Sequence, residues 1–212
     1  QALMAGNTVV VKPSELSVLA PGLTLQKIAE MFPPGVINIV TGDAAEIGDS
    51  LVGHPLVRFV NFTGSVHIGK HVMKVAADQM TPVTLELGGN DAAIVCADAR
   101  LDETAFMNMY LGTFMSSGQV CMALKRLYVH RSRYDEVIEG LEAVCNRMVV
   151  GDGLLPDTNM GPVNNAKQLQ IITSMIEQAR SAGAEVRECG QVPDEELYQK
   201  GYFQGPALVI NP

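Results

Sequence analysis

Two β-branched runs, Thr8-Val9-Val10-Val11-Lys12 and Val36-Ile37-Asn38-Ile39-Val40, enclose Leu25, Ile28, Ala29 and Phe32 at the spacing i, i+3, i+4, i+7. A period of two gives way to a period of 3.6 and returns, which is the pattern of strand, amphipathic helix and strand. Strands joined through a helix run parallel, because the crossover carries the chain back to the edge where it began. Pro21 suits the start of the intervening helix and Pro33-Pro34-Gly35 its stop. The pattern continues with a helix over Ala44–Val52, a strand over Val57–Phe62, a helix over Ser65–Ala77 and the strand Val83-Thr84-Leu85-Glu86-Leu87. The expectation is an α/β chain, a Rossmann-like parallel sheet with flanking helices.

Gly88-Gly89 then interrupts the pattern, which restarts with a strand over Ala92–Val95, a helix over Asp102–Phe114 and a strand over Arg126–His130. Tyr134, Val137, Ile138, Leu141, Val144, Cys145 and Met148 form the next helical stripe, so Cys145 is expected in the core. A loop rich in Gly, Asp and Pro spans Gly151–Pro162, and Leu169, Ile172, Ile176 and Ala179 mark a further helix. The reading is two domains, 1–88 and 89–212, the second also α/β and bearing the cysteines. Both are incomplete: Gln1 leads almost directly into a strand and Ile210-Asn211-Pro212 ends one, so each end reads as a cut inside a fold.

Composition narrows the partners. With 212 residues and 47% hydrophobic content the chain can bury a core, and its net charge of −8 disfavours nucleic acid and anionic membrane surfaces, which select a basic face. Cys96, Cys121, Cys145 and Cys189 show no C-x-x-C spacing and no metal-ligand interval to His54, His67, His71 or His130, so reduced thiols and no metal are expected. No apolar run reaches the roughly 18–20 residues of a membrane span. A small-molecule substrate and a cytoplasmic setting are the default.

Ser116-Ser117-Gly118-Gln119-Val120-Cys121 places a thiol in a Gly-containing loop after a helical run, where it can be exposed and activated. Glu86 closes an apolar strand, where a carboxylate can be desolvated enough to take a proton. The pair suggests covalent thiol catalysis assisted by a base; the rival readings are a buried structural thiol and a surface ion pair. Lys12-Pro13-Ser14-Glu15 stands at the carboxyl end of the first strand, where open parallel sheets bind ligands. Phe62-Thr63-Gly64-Ser65 follows a strand and opens a helix with Ser65 at the N-cap, an end that suits a pyrophosphate. Gly42 and Gly48, flanking another strand-to-helix turn, are weaker cofactor candidates. No G-x-G-x-x-G is present. A solvated loop and an empty helix cap are the competing accounts of these motifs.

Taken in order, K-P-S-E at 12–15, F-T-G-S at 62–65, E-L-G-G at 86–89 and G-Q-V-C at 118–121 resemble the aldehyde dehydrogenase superfamily, and the likeness extends over essentially the whole chain. The resemblance implies NAD as cofactor, with NADP disfavoured by the carboxylate of Glu15, and an aldehyde oxidised to an acid through a thiohemiacetal and a thioester. It casts Cys121 as nucleophile and Glu86 as general base. Lys12, Ser14, Glu15, Phe62, Thr63, Gly64, Ser65, Leu87 and Gly88 become cofactor contacts. It implies a homo-oligomeric parent, dimer or tetramer. It also places a Trp-Asn-Phe-Pro type segment, source of an oxyanion donor, before residue 1, and a Glu-x-Phe-Gly-Pro segment beyond residue 212. These 212 residues are therefore expected to be inactive or weakly active alone. A non-catalytic nucleotide-binding module and a Cys-dependent acyl hydrolase remain the alternatives.

Overall fold

The computed structural model describes residues 1–211 and divides into two compact units, Gln1–Leu87 and Gly88–Pro212. In the first unit β1 (Val9–Val11) pairs in parallel with β2 (Ile37–Ile39), Val9 opposite Ile37, through the crossover helix α1 (Leu19–Ala29). After α2 (Ala44–Val52), β3 (Val60–Gly64) pairs in parallel with β4 (Val83–Leu87) through α3 (Val66–Ala77). The expected parallel sheet is thus present as two ladders of two strands each.

Several boundaries differ from the sequence pattern for identifiable reasons. Phe32 continues the apolar stripe but lies beyond α1, because the backbone N–H of Glu30 closes the last turn on Gln26 and Pro33 follows three residues later. The strand expected from Val57 begins at Val60 instead. Residues 54–57 are consumed by a turn in which the Val57 N–H bonds the His54 carbonyl and the Leu56 N–H bonds His54 Nδ1. Gly48 does not flank a strand-to-helix turn: Asp43 caps α2 through the Ala45 N–H, so the helix has already started and Gly48 falls in its interior. Gly69 has a packing role. A Cβ there would stand 2.6 Å from Leu87 Cδ2, so the bare glycine lets α3 lie against β4.

The second unit opens with β5 (Asp91–Val95), parallel to β6 (Leu124–Val129) across the helix α4 (Glu103–Phe114). Helix α5 (Tyr134–Cys145) buries Val137, Leu141, Val144 and Cys145, as its stripe requires. Helix α6 (Ala166–Ser181) follows the 151–162 loop, then β7 (Glu185–Glu188), the short α7 (Glu195–Lys200) and β8 (Ala207–Ile210). Here β7 runs antiparallel to β8, Glu185 opposite Ile210. Strand β7 has no apolar alternation. Its Arg187 bonds Glu142 of α5 and its neighbour Glu185, so charge pairing stands in for the missing pattern.

The core of this unit gathers Tyr110, Leu141, Val144, Cys145, Met148 and Cys189. Burial, with the neighbouring Cys189 and Glu142, pushes the Cys145 thiol up to about 12. Burial, then Cys145, pushes the Tyr110 phenol to about 12 as well. Both groups are held neutral, so the stability they contribute is complete below their ordinary values of 9.0 and 10.0 and is lost as the pH rises toward 12. Melting temperature should therefore fall between pH 9 and 11, and Cys145→Ala should flatten that fall; an unchanged slope would exclude the thiol as a contributor. Gly205 is buried with a hypothetical Cβ 2.5 Å from the Cys189 carbonyl oxygen, a backbone atom that cannot swing away. Gly205→Ala is expected to cost about 1–3 kcal/mol in denaturant unfolding. Gly153→Ala, whose Cβ meets nothing within 4 Å, should be close to neutral in the same measurement.

Candidate active site

The thiol of Cys121 is carried by an unusual stretch of backbone. Helix α4 ends at Phe114, and three residues in a row then take left-handed conformations: Ser116 (φ 54°), Ser117 (φ 57°) and Gly118 (φ 72°). Gly118 accepts this freely, whereas each serine pays about 1–2 kcal/mol for its Cβ. The conformation persists because side chains hold it. Ser117 Oγ donates to the Gly161 carbonyl at 2.8 Å, and Gln119 Nε2 donates to the Ser116 carbonyl at 3.1 Å. Gln119 Oε1 accepts from the Asn164 N–H at 2.8 Å. The Gly- and Pro-rich loop is thus the clasp of the turn.

Beyond the turn, Cys121 is exposed and Ala123 is buried. The Gly89 N–H bonds the Cys121 carbonyl at 3.2 Å, and a Cβ on Gly89 would lie 3.2 Å from that same oxygen, so Gly89 is where the cysteine peptide meets the start of β5. Arg126 fixes the other side of this junction, donating to the Asn90 carbonyl through Nε at 3.0 Å and through Nη2 at 2.6 Å. Cys96 is the second exposed thiol; Cys145 and Cys189 are buried. Of the four cysteines only Cys121 follows closely on a strained, clasped turn, three residues after Gly118.

In the first unit the candidate cofactor residues fall into two groups. At the carboxyl ends of β1 and β2, the Lys12 ammonium donates to Glu15 Oε2 at 3.1 Å, to the Pro13 carbonyl at 3.0 Å and to the Gly42 carbonyl at 3.4 Å. Ser14 Oγ accepts from the Leu16 N–H and caps the 3₁₀ turn that presents Glu15. A backbone hydrogen bond at Glu15, and then the Lys12 ammonium, hold its carboxyl below the usual range, so it is ionised at neutral pH. Gly48 stays apart from this group, in the interior of α2.

The second group lies on the β3–β4 ladder, where Thr63 is opposite Glu86 and Gly64 opposite Leu87. Ser65 caps α3 by accepting from the Ile68 N–H, so the first turn of a 12-residue helix opens beside the end of β4. Gly64 leaves room for the Phe62 ring, which a Cβ would approach to 2.5 Å. Glu86 shares the exposed face of β4 with Thr84, as strand alternation predicts. It is exposed within its unit, so the desolvation expected from its apolar strand is not supplied there: Val83, Leu85 and Leu87 turn to the other face. Gly88 is open, with nothing within 4 Å of a hypothetical Cβ. The described residues hold no cluster of His, Cys, Asp and Glu suited to a metal, and no helix long and apolar enough to cross a membrane.

Sequence reading named the cysteine loop but not what holds it. Ser117, Gln119 and Asn164 act through contacts more than forty residues apart in the chain. The available signal was the length of the 151–162 loop, since long loops without secondary structure in a compact unit usually carry function.

Comparison with known proteins agrees over the whole length. The model of the Aldehyde dehydrogenase family matches residues 1–212. A probable betaine aldehyde dehydrogenase of Schizosaccharomyces pombe is 39% identical over 99% of this chain and 41% of its own length. A benzaldehyde dehydrogenase of Bacillus subtilis is 41% identical over 86% of this chain and 38% of its own. The crystal structure of a betaine aldehyde dehydrogenase from Staphylococcus aureus in complex with NAD+ superposes with a TM-score of 0.93 at 35% identity, covering all of this chain and 42% of that one. The chain spans about two fifths of the length of the relatives it matches. With motifs, fold and full-length match in accord, the chain belongs to the aldehyde dehydrogenase family.

Proposed function

We propose that this chain is the central part of an NAD-dependent aldehyde dehydrogenase that oxidises an aldehyde to a carboxylic acid, with Cys121 as nucleophile and Glu86 as general base. The observation that carries the reading is the exposed Cys121 thiol just beyond the clasped left-handed turn Ser116–Gly118. Residues 1–88 form the cofactor side of this reading and residues 89–212 the catalytic side. That the relative from Staphylococcus aureus was crystallised with NAD+ supports the same cofactor here.

The residues present fit that cofactor. Glu15, ionised and braced by Lys12, would hold a ribose diol as hydrogen-bond acceptor, and its charge would repel a 2′-phosphate. The first turn of α3, behind Thr63, Gly64 and Ser65, is a helix N-terminus whose dipole would suit a pyrophosphate, with the Ile68 N–H already taken by the Ser65 cap. When bound, NAD+ supplies the hydride acceptor that converts a Cys121 thiohemiacetal into a thioester. Cys121 itself forms the S–C bond to the aldehyde carbon, and the carbonyl electron pair moves onto oxygen. Glu86 takes the proton of the water that later attacks the thioester, and the thiolate leaves.

The two roles separate kinetically. In the full-length protein Cys121→Ala should lower NADH formation on the order of 10³-fold or more. Glu86→Gln should keep a first-turnover burst of NADH while the steady state falls about 10²–10⁴-fold. A Cys121→Ala enzyme at wild-type rate, or a Glu86→Gln enzyme with an undiminished steady state, removes the corresponding role. Glu15→Gln is expected to shift the NADP/NAD ratio of kcat/KM toward NADP by about tenfold. No shift would show that the cofactor's ribose is read elsewhere.

A further inference from the structure

Lys125 stands near the start of β6 with an exposed side chain, yet it folds back onto the turn behind it. Its ammonium donates to the Ala123 carbonyl at 2.9 Å, the Cys121 carbonyl at 3.2 Å and the Val120 carbonyl at 3.3 Å. An ammonium has three donors, and all three are spent on this turn. In a planar trans peptide the C=O and the following N–H point in opposite directions. The Val120 carbonyl is held to one side by the Ala123 N–H at 3.1 Å, and Lys125 adds its charge to that hold, so the Cys121 N–H is turned to the other. A cation on the amide oxygen also polarises the peptide, which makes that N–H a stronger donor. The Cys121 carbonyl is held twice, by Lys125 and by the Gly89 N–H, so the peptides on both sides of the cysteine are fixed.

We propose that Lys125 is a positioning residue: it orients and polarises the Cys121 peptide so that the Cys121 N–H serves as a donor to the oxyanion. That oxyanion forms when the thiolate sulfur bonds the aldehyde carbon and the carbonyl π pair moves to oxygen, with no change in electron count. The inference rests on the reading of Cys121 as nucleophile. Lys125 touches neither substrate nor sulfur in this role. It acts through the backbone, where a donor aimed at a developing charge is worth most.

The test uses the full-length protein with Lys125→Met, Lys125→Gln and Lys125→Arg, each checked by thermal melting, with Lys125→Gln read in place of Lys125→Met if the latter does not fold. Neutral side chains are expected to lower kcat about 10-fold or more with KM within about twofold, because complete loss of one oxyanion donor costs roughly 10²–10³. Lys125→Arg should recover most of the loss. Alkylation of Cys121 by iodoacetamide forms no oxyanion and should proceed within about twofold of wild type. An unchanged kcat in the neutral variants overturns the proposal, and so does a loss of alkylation parallel to the loss of kcat, which would mean that Lys125 acts on the thiol. If Cys121→Ala retains activity, the nucleophile reading itself has failed; if Cys121→Ala is inactive and Lys125→Met is not impaired, only the role of Lys125 has failed.

Discussion

Where the Cys121 sulfur sits depends on three consecutive left-handed residues, Ser116, Ser117 and Gly118. A helix that has just ended at Phe114 would otherwise run on in extended backbone. The left-handed step breaks that direction within one turn, and a left-handed serine is stable only where its surroundings over-determine it. Ser117 to Gly161 and Gln119 to Asn164 provide that over-determination from a loop with no strand or helix of its own. The loop in turn is anchored by the Met160 N–H on the Val149 carbonyl and the Val163 N–H on the Tyr202 carbonyl. The thiol's position is thus set by the folding of residues 149–202, far downstream of the thiol.

This order of dependence explains what could be read in the sequence and what could not. Strands β1, β2 and β4 and helices α2, α3, α4 and α5 follow from periodicity and caps, because their apolar residues and their end signals agree: Asp43, Ser65 and Asp102 each stand one residue before the helix they cap. Strand β7 and helix α7 were hidden. Glu-Val-Arg-Glu has no face to recognise, and its strand character comes from β8 and from the Arg187–Glu142 pair. Pairing partners distant in sequence leave no local trace.

The same limit applies to the site. The place of Lys12 and Glu15 at the carboxyl end of β1 follows from the rule that parallel sheets present their loops there, whereas the Lys12 bond to the Gly42 carbonyl, thirty residues on, leaves no trace in the sequence. Strand alternation likewise put Glu86 and Thr84 on one face. Register is a different matter: Thr63 opposite Glu86 brings two motifs twenty-three residues apart in the chain onto adjacent strands, and only pairing determines that. Gly48 is the converse case: Asp43 starts α2 ahead of it, so the glycine lies inside the helix and not at a strand-to-helix turn.

The four cysteines show how environment divides one residue type into separate chemistries. Cys145 and Cys189 lie in a shared apolar cluster where ionisation is penalised by burial, and the thiol of Cys145 is pushed to about 12, far above any pH at which it would act as a nucleophile. Their contribution is volume, as small apolar residues beside Tyr110 and Leu141. Cys96 is exposed but follows β5 directly, on backbone that no side-chain clasp constrains into the left-handed region. Cys121 alone combines exposure with a peptide gripped on both its carbonyl neighbours, by Gly89 and by Lys125. A catalytic thiol needs access for the substrate and a fixed frame for the charge that develops beside it. Among the four cysteines only Cys121 combines exposure with flanking carbonyls held from two sides, and the backbone strain that precedes it, at Ser116 and Ser117, has no counterpart beside the core thiols.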